Sequence, residues 1–211
     1  EVQHIADTLE NRGFEAYLVG GCVRDLLIGK TPKDWDITTD AHPTEIESLF
    51  PETYLNNDFG TVGVVNKETE DPTLKVVEVT PYRTESEYSD ARRPDSVSFG
   101  VSLEEDLKRR DFTVNAIAYR LKDEKIVDLF EGEADIKHKR LRAVGKATER
   151  FREDALRMMR AVRLAVELDF VIEGDTMSAI TENAENLAKI SKERIRDEFV
   201  RILNSKHPMQ G

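Results

Sequence analysis

The stretch LVGGCVRDLLIG at Leu18–Gly29, with DWDITTD at Asp34–Asp40 shortly after it, decides how this chain is read. Ala16-Tyr17-Leu18-Val19 reads as a buried strand, the two glycines break it, and CVRDLL then turns into a short helix. DWDIT reads as a second strand. Side chains two apart on a strand share a face, so Asp34 and Asp36 are expected to point together while Trp35 turns the other way into packing. Two such carboxylates repel unless a cation sits between them. Hard oxygen ligands of this kind suit Mg²⁺, which takes one or two carboxylates and completes its shell with phosphate oxygens and water. Glu78, in the run VVEVT, is the expected third carboxylate if its strand lies alongside. Gly20 and Gly21 let the backbone close on phosphate oxygens where the helix starts, and Arg24 adds a fork of donors. Singly, a DxD is a solvated strand end and a double glycine is a turn. Together they describe a site for a nucleoside triphosphate and its metal.

The rest of the chain sets bounds on that reading. At 211 residues with 39% hydrophobic content it can bury a core in one large domain or two small ones. Against 42 acidic side chains stand 31 basic ones, a net charge of −11, so any polyanion must be met locally. One cysteine excludes an internal disulfide, and His4, His42, His138 and His207 are scattered without HExxH spacing, so no imidazole-bound metal is expected. No apolar run approaches the roughly 20 residues of a membrane span and no signal pattern opens the chain, which reads as cytoplasmic, with no membrane partner. It opens without methionine and stops after HPMQG, so a longer natural protein is expected; composition says nothing of oligomeric state.

Two textures divide the sequence. Up to residue 145 short helices and strands alternate. VQHIADTLENRG has helical spacing, HPTEIESLF is a helix with proline in its first turn, and GTVGVV and LKVVEVT read as paired strands. SLEEDLKRRDF opens with a Ser102…Glu105 capping box, and AIAYRL with KIVDLF reads as a hairpin. Between them TESEYSDARRPDS is too polar for the core and is expected to be a flexible loop. From Lys146 the pattern is helical with almost no strand signal: ATERFREDALRMMRAVRLAVEL, TMSAITENAENLAKI and KERIRDEFVRIL. A mixed α/β domain over 1–145 and an all-helical one over 146–211 are expected.

LVGGCVRDLLIG and DWDITT, followed in order by RRDFTVNAIAY, DLFEGEADI, REDALRMMRAVR and SKERIRDEF, resemble the motif series of the class II tRNA nucleotidyltransferases and bacterial poly(A) polymerases. The resemblance covers nearly the whole chain. It implies an α+β, polymerase β-like nucleotidyltransferase head followed by a helical neck, with catalytic carboxylates Asp34, Asp36 and Glu78, the first two holding Mg²⁺. It implies that Gly20, Gly21, Arg24, Arg110, Asp111 and Asn115 bind the triphosphate and sugar of the incoming nucleotide. It also implies that Glu153, Asp154, Arg157, Arg160 and Arg163 face its base. The implied partners are CTP, ATP and a tRNA 3′ end, and the implied reaction is CCA addition without a nucleic-acid template. A poly(A) polymerase or A-adding specialist uses overlapping motifs, and an idle RNA- or nucleotide-binding fragment is the reading from another class. In this family the loop before RRD is associated with switching from C to A, and here it carries Asp90, Arg92, Arg93 and Asp95.

On a helical wheel Glu153, Asp154, Arg157 and Arg160 fall within roughly 120° of one another, while Ala155, Met158, Met159, Val162, Ala165 and Val166 occupy another sector. Arg163 falls opposite Asp154, from where it could instead reach a packing partner or RNA. An Asp can accept from an exocyclic amine and an Arg can donate to the ring nitrogen beside it, a pattern that cytosine and adenine share and uracil and guanine invert. The bland alternative is an i,i+3 ion pair on a solvated face. Lys137, Lys139, Arg140, Arg142 and Lys146, with Arg194, Arg196 and Arg201 later, are candidate phosphate contacts or a solvated surface.

Overall fold

A computed structural model describes residues 1–56, 60–85 and 97–211. Of the loop expected over TESEYSDARRPDS, Thr84 and Glu85 end a strand instead, and residues 86–96, with Asp90, Arg92, Arg93 and Asp95, lie outside the described residues. The described residues form two compact units: Glu1–Thr84 with Val97–Arg109 and Asn115–Phe130, and Glu131–Gly211 with Arg110–Val114.

The first unit holds α1 (Val2–Asn11), β1 (Ala16–Val19), α2 (Gly21–Leu27), β2 (Asp36–Thr39), α3 (Pro43–Leu49), β3 (Thr53–Leu55), β4 (Val62–Val65) and β5 (Val76–Pro81). It continues through β6 (Arg83–Glu85), β7 (Val97–Phe99), α4 (Leu103–Lys108), β8 (Ile117–Arg120) and β9 (Lys125–Asp128). Among the described residues seven strands form one mixed sheet in the order β3-β4-β5-β2-β1-β8-β9, and β6 pairs with β7. The expected pairings of β4 with β5 and of β8 with β9 are present and antiparallel. β2 and β5 run parallel, which demands a long crossover, and α3 with the β3–β4 hairpin supplies it.

Local signals account for most of these elements. Both α3 and α4 begin with a capping box, His42 with Glu45 and Ser102 with Glu105. Along β5 the alternation is regular: Val77, Val79 and Pro81 are buried, while Val76, Glu78 and Thr80 are half-buried. The valine side belongs to the core with Ile37, Val62 and Val64, and α3 packs on β4 and β5. On the other side of the sheet Tyr17 and Val19 of β1 pack with Leu107 of α4. There Asp106 of α4 also reaches Thr38, one of a row of threonines. Thr38 Oγ1 donates to Asp106 Oδ2 at 3.4 Å and lies beside Thr80, whose hydroxyl is 3.1 Å from that of Thr61. Asp106 is fully buried and accepts from Arg109 Nε and Nη2 at 3.0 and 2.7 Å and from the Arg83 amide at 3.4 Å.

The second unit holds α5 (Gly132–Lys137), β10 (Arg140–Leu141), α6 (Ala147–Glu153), α7 (Leu156–Leu168), β11 (Val171–Ile172), α8 (Gly174–Asn183) and α9 (Lys192–Leu203). α9 matches the expected KERIRDEFVRIL. The parallel β10–β11 pair is a strand feature that the helical texture concealed, because two residues are too few to carry a periodic signal. Expected as one continuous element, REDALRMMRAVRLAVEL is broken instead: α6 ends at Glu153, Asp154 is extended (φ −137°, ψ 106°) and α7 starts at Leu156. Nor is the packed sector as drawn, since Ala161 and Leu164 are buried with Arg157 and Arg163, whereas Met159, Val162 and Ala165 are only partly covered. No helix among the described residues is long and apolar enough to cross a membrane.

Replacing Asp106 by alanine removes the buried acceptor shared by Arg109, Thr38 and the Arg83 amide. The expected cost is about 3 kcal/mol, read as a lowered urea midpoint.

Candidate functional site

The first unit gathers its carboxylates by pairing across the sheet. In the parallel register Asp36 stands opposite Glu78, so both project on the same face, two residues along from Thr38 and Thr80. The neighbouring strand places Gly63 beside Glu78. Asp34 arrives differently from expectation. β2 begins at Asp36, so Asp34 lies exposed in the bend before it and strand alternation does not set its direction. Its charge nevertheless reaches Glu78. Burial raises the Glu78 carboxyl pKa above its ordinary 4.5, the negative charge of Asp34 raises it further, and a hydrogen bond from Asn56 opposes both. Asn56 Nδ2 donates to Glu78 Oε1 at 2.6 Å.

The glycine turn abuts this row. Gly20 takes φ +80° and ψ −136°, a conformation an L side chain resists, which explains the glycine ahead of α2. A side chain on Gly21 would only come into ordinary contact with the Arg24 guanidinium, so this position stays bare without a steric need inside the unit. Arg24 Nη1 donates to Asn115 Oδ1 at 2.7 Å, and its Nε and Nη2 clamp Asp25 Oδ1 at 2.9 and 2.7 Å. Thus two residues expected to touch the same nucleotide, Arg24 and Asn115, are brought together from opposite ends of the unit.

These carboxylates suit a hard divalent cation. Among the described residues no group of three or more His, Cys, Asp or Glu is placed to hold a metal by itself. A site of one or two carboxylates completed by substrate oxygens is the arrangement Mg²⁺ accepts. Burial first, and then the Asp34 charge, penalise the ionised Glu78 carboxylate, and a bound cation would favour that ionised form.

In the second unit Asp111, Asp154, Arg157, Arg160 and Arg163 are each committed to a partner. Asp111 Oδ1 accepts from the Phe112 amide at 2.8 Å, and its Oδ2 takes Nε and Nη2 of Arg160 at 2.9 and 2.6 Å. This carboxylate holds the Arg160 guanidinium more firmly protonated than usual. Arg110, next to Asp111, is half-buried. Asp154 sits in the break between α6 and α7. Its Oδ1 accepts from the Leu156 amide at 3.0 Å, capping the start of α7, and its Oδ2 accepts from Arg194 Nη2 at 2.8 Å. Arg157 Nη1 donates to Glu153 Oε2 at 2.6 Å and to the Arg150 carbonyl at 3.3 Å, and Glu153 Oε1 also pairs with Arg150. Arg163 is buried against Glu198 of α9 at 2.7 Å and reaches Glu167 at 3.4 Å, so it meets the packing partner considered for it. Burial lowers its guanidinium pKa, and the Glu198 charge works against that shift.

Arg194, read in the sequence as a candidate RNA contact, instead faces Asp154. The spacing of Arg194 and Glu198 on α9, one helical turn apart, was the available signal, since it puts both on one face. Arg140 and Arg142 likewise turn inward onto the buried Asp135, which Thr113 Oγ1 also contacts at 2.6 Å, and Lys139 pairs with Asp169.

A mixed sheet whose one face carries a registered acidic row beside a glycine turn, with a separate helical unit of paired Asp and Arg, is the setting for the comparisons with known proteins. The family described as "Poly A polymerase head domain" matches residues 16–142, and "Probable RNA and SrmB- binding site of polymerase A" matches 169–211. The chain belongs to the poly A polymerase head domain family. It is 49% identical over 208 residues to the CCA-adding enzyme of Levilactobacillus brevis, covering 98% of this chain and 51% of that enzyme. With the CCA-adding enzyme of Leuconostoc mesenteroides the identity is 52%, over 96% of this chain and 49% of the other. The Bacillus stearothermophilus CCA-adding enzyme in complex with CTP superimposes with a TM-score of 0.87 at 45% identity, over 98% of this chain and 48% of that one. The Thermotoga maritima CCA-adding enzyme complexed with tRNA gives 0.80 at 26% identity, over 99% and 48%. The chain thus spans about half the length of the relatives it matches.

Glu78 carries a stability signature. The folded protein holds this proton more tightly than the unfolded chain does, so the group's contribution is present below pH 4.5 and is lost as pH rises through the higher folded value. Glu78→Gln keeps an oxygen for Asn56. It is expected to raise the urea midpoint near neutral pH, with the gain over the parent chain vanishing below the ordinary glutamate pKa.

Proposed function

We propose that this chain is the nucleotide-transferring portion of an enzyme that adds C and A to the 3′ end of tRNA from CTP and ATP, releasing pyrophosphate and using no nucleic-acid template. The observation that carries this reading is the register of Asp36 with Glu78, within reach of the Asp34 charge. The named relatives, all CCA-adding enzymes, favour this over an A-tailing activity and over an idle binding fragment. Residues 1–145 are read as the catalytic head and 146–211 as the neck that selects the base. Action on tRNA is consistent with a cytoplasmic location.

In the proposed reaction the RNA 3′-hydroxyl attacks the α-phosphate of the bound nucleotide and pyrophosphate leaves. Asp34 and Asp36 would hold Mg²⁺, with Glu78 alongside. The ion supplies a lowered hydroxyl pKa and neutralises charge on the phosphates. Gly20, Gly21, Arg24 and Arg110 position the triphosphate, and Asp111 with Asn115 meets the sugar. Asp154 accepts from the amine of C or A while Arg157 donates to the ring nitrogen beside it, with Glu153 and Arg160 shaping that surface and Arg163 tying α7 to α9 behind it. Arg194 and the Leu156 amide use only part of the Asp154 carboxylate, which can accept about four hydrogen bonds. U and G present the inverse pattern and leave buried groups unmatched, at about 1–3 kcal/mol for each.

The reaction is tested by offering tRNAs that end before CCA, after C and after CC with each nucleoside triphosphate singly and with CTP plus ATP. Two C's followed by one A is expected; long A tails, or no extension, would refute the reading. Asp36→Ala should abolish incorporation while leaving the melting curve cooperative. Asp154→Ala should narrow the preference for CTP and ATP over UTP and GTP by about tenfold or more, measured as the ratio of kcat/KM values.

A further inference from the structure

The acidic row does not stop at Glu78. Gly63 of β4 stands opposite Glu78 on one side and opposite Tyr54 of β3 on the other, so Asp36, Glu78, Gly63 and Tyr54 form one line across four adjacent strands on the same face. The Tyr54 ring lies over Gly63. A Cβ built there would come within 2.5 Å of Cζ, 2.6 Å of Cε1 and 2.9 Å of the hydroxyl oxygen, so any larger residue would displace the ring. Filling the space above a strand glycine is an ordinary use of a neighbouring aromatic, but it occupies one face of the ring. Tyr54 remains 43% exposed, on the edge strand of the sheet.

We propose that Tyr54 is a stacking platform for the 3′-terminal nucleobase of the RNA acceptor, an inference that rests on the reaction proposed above. Strands lie about 4.8 Å apart, so the Gly63 column is about 10 Å from the Asp36 column. A nucleoside with its 3′-hydroxyl at the carboxylates extends its base over Gly63 toward the open face of Tyr54. Two chemical features favour the acceptor base. Its identity changes with each addition, and stacking on an aromatic ring tolerates any base, whereas edge-reading side chains do not. Near Asp36 and Glu78, in a chain of net charge −11, an uncharged grip also avoids placing phosphate against carboxylates. The base of the incoming nucleotide already has its readers in Asp154 and Arg157.

The test uses the chain with an RNA hairpin whose 3′-terminal base is 2-aminopurine, in the absence of nucleoside triphosphate. Binding should quench the fluorophore. Tyr54→Leu should lose the quench and about tenfold in RNA affinity, Tyr54→Phe should keep both, and Gly63→Ala, which displaces the ring, should behave like Tyr54→Leu. Melting curves establish that each variant folds. The KM for CTP and ATP at saturating RNA should not change. Quenching and affinity unaltered in a folded Tyr54→Leu chain, no RNA binding by the parent chain, or a defect confined to the KM of the nucleoside triphosphates would overturn the proposal. A quench that depends on Tyr54 in a chain that never extends RNA would retain the platform and refute the proposed reaction.

Discussion

The parallel pairing of β2 with β5 is the constraint on which the first unit depends. It sets Asp36 against Glu78, whose carboxyl also feels the charge of Asp34, although Glu78 comes from a distant part of the chain. Parallel strands cannot be joined by a tight turn, so the chain must leave the sheet and return, and α3 with the β3–β4 hairpin fills that excursion. The same excursion delivers Gly63 and Tyr54 to the row. Packing and site are therefore two faces of one arrangement: Val77, Val79, Val62 and Val64 turn to one core, and the alternate positions carry the carboxylates and Thr38, which meets Asp106 of α4.

The second unit handles charge in another way. Arg157, Arg163, Asp111 and Glu198 are nearly buried, and taking such groups out of water is costly unless each meets a partner. Each does. α9 contributes two of the partners, Arg194 to Asp154 and Glu198 to Arg163, from positions one turn apart. The helix break at Asp154 gives these pairs their geometry. Once the chain leaves the helix there, the side chain turns back to cap α7 and shows its remaining oxygen to Arg194. The residues proposed to read a base are thereby oriented by contacts made within the unit.

The acidic balance of the chain agrees with this economy of cations. Arg140, Arg142, Arg194 and Lys139, which in the sequence look available for RNA phosphates, are ion-paired with carboxylates of the same unit. Much of the positive charge organises the protein itself. The RNA binding proposed for this chain would then rest on a few local contacts and on uncharged stacking.

Much was legible before folding was considered. The capping box at Ser102, the proline in the first turn of α3, the β-branched runs of β4 and β5, the hairpin of β8 and β9 and the bounds of α9 follow from interactions among residues close in sequence, so spacing and residue type reveal them. The motif order likewise pointed to the family. Tertiary structure alone decided the start of β2 at Asp36 instead of Asp34, the break that separates α6 from α7, the short β10–β11 pair and the inward turn of Arg194. It also aligned Tyr54 with the carboxylates. Each of these depends on a partner far along the chain, and local preference is too weak to specify which strand, amide or carboxylate that partner will be.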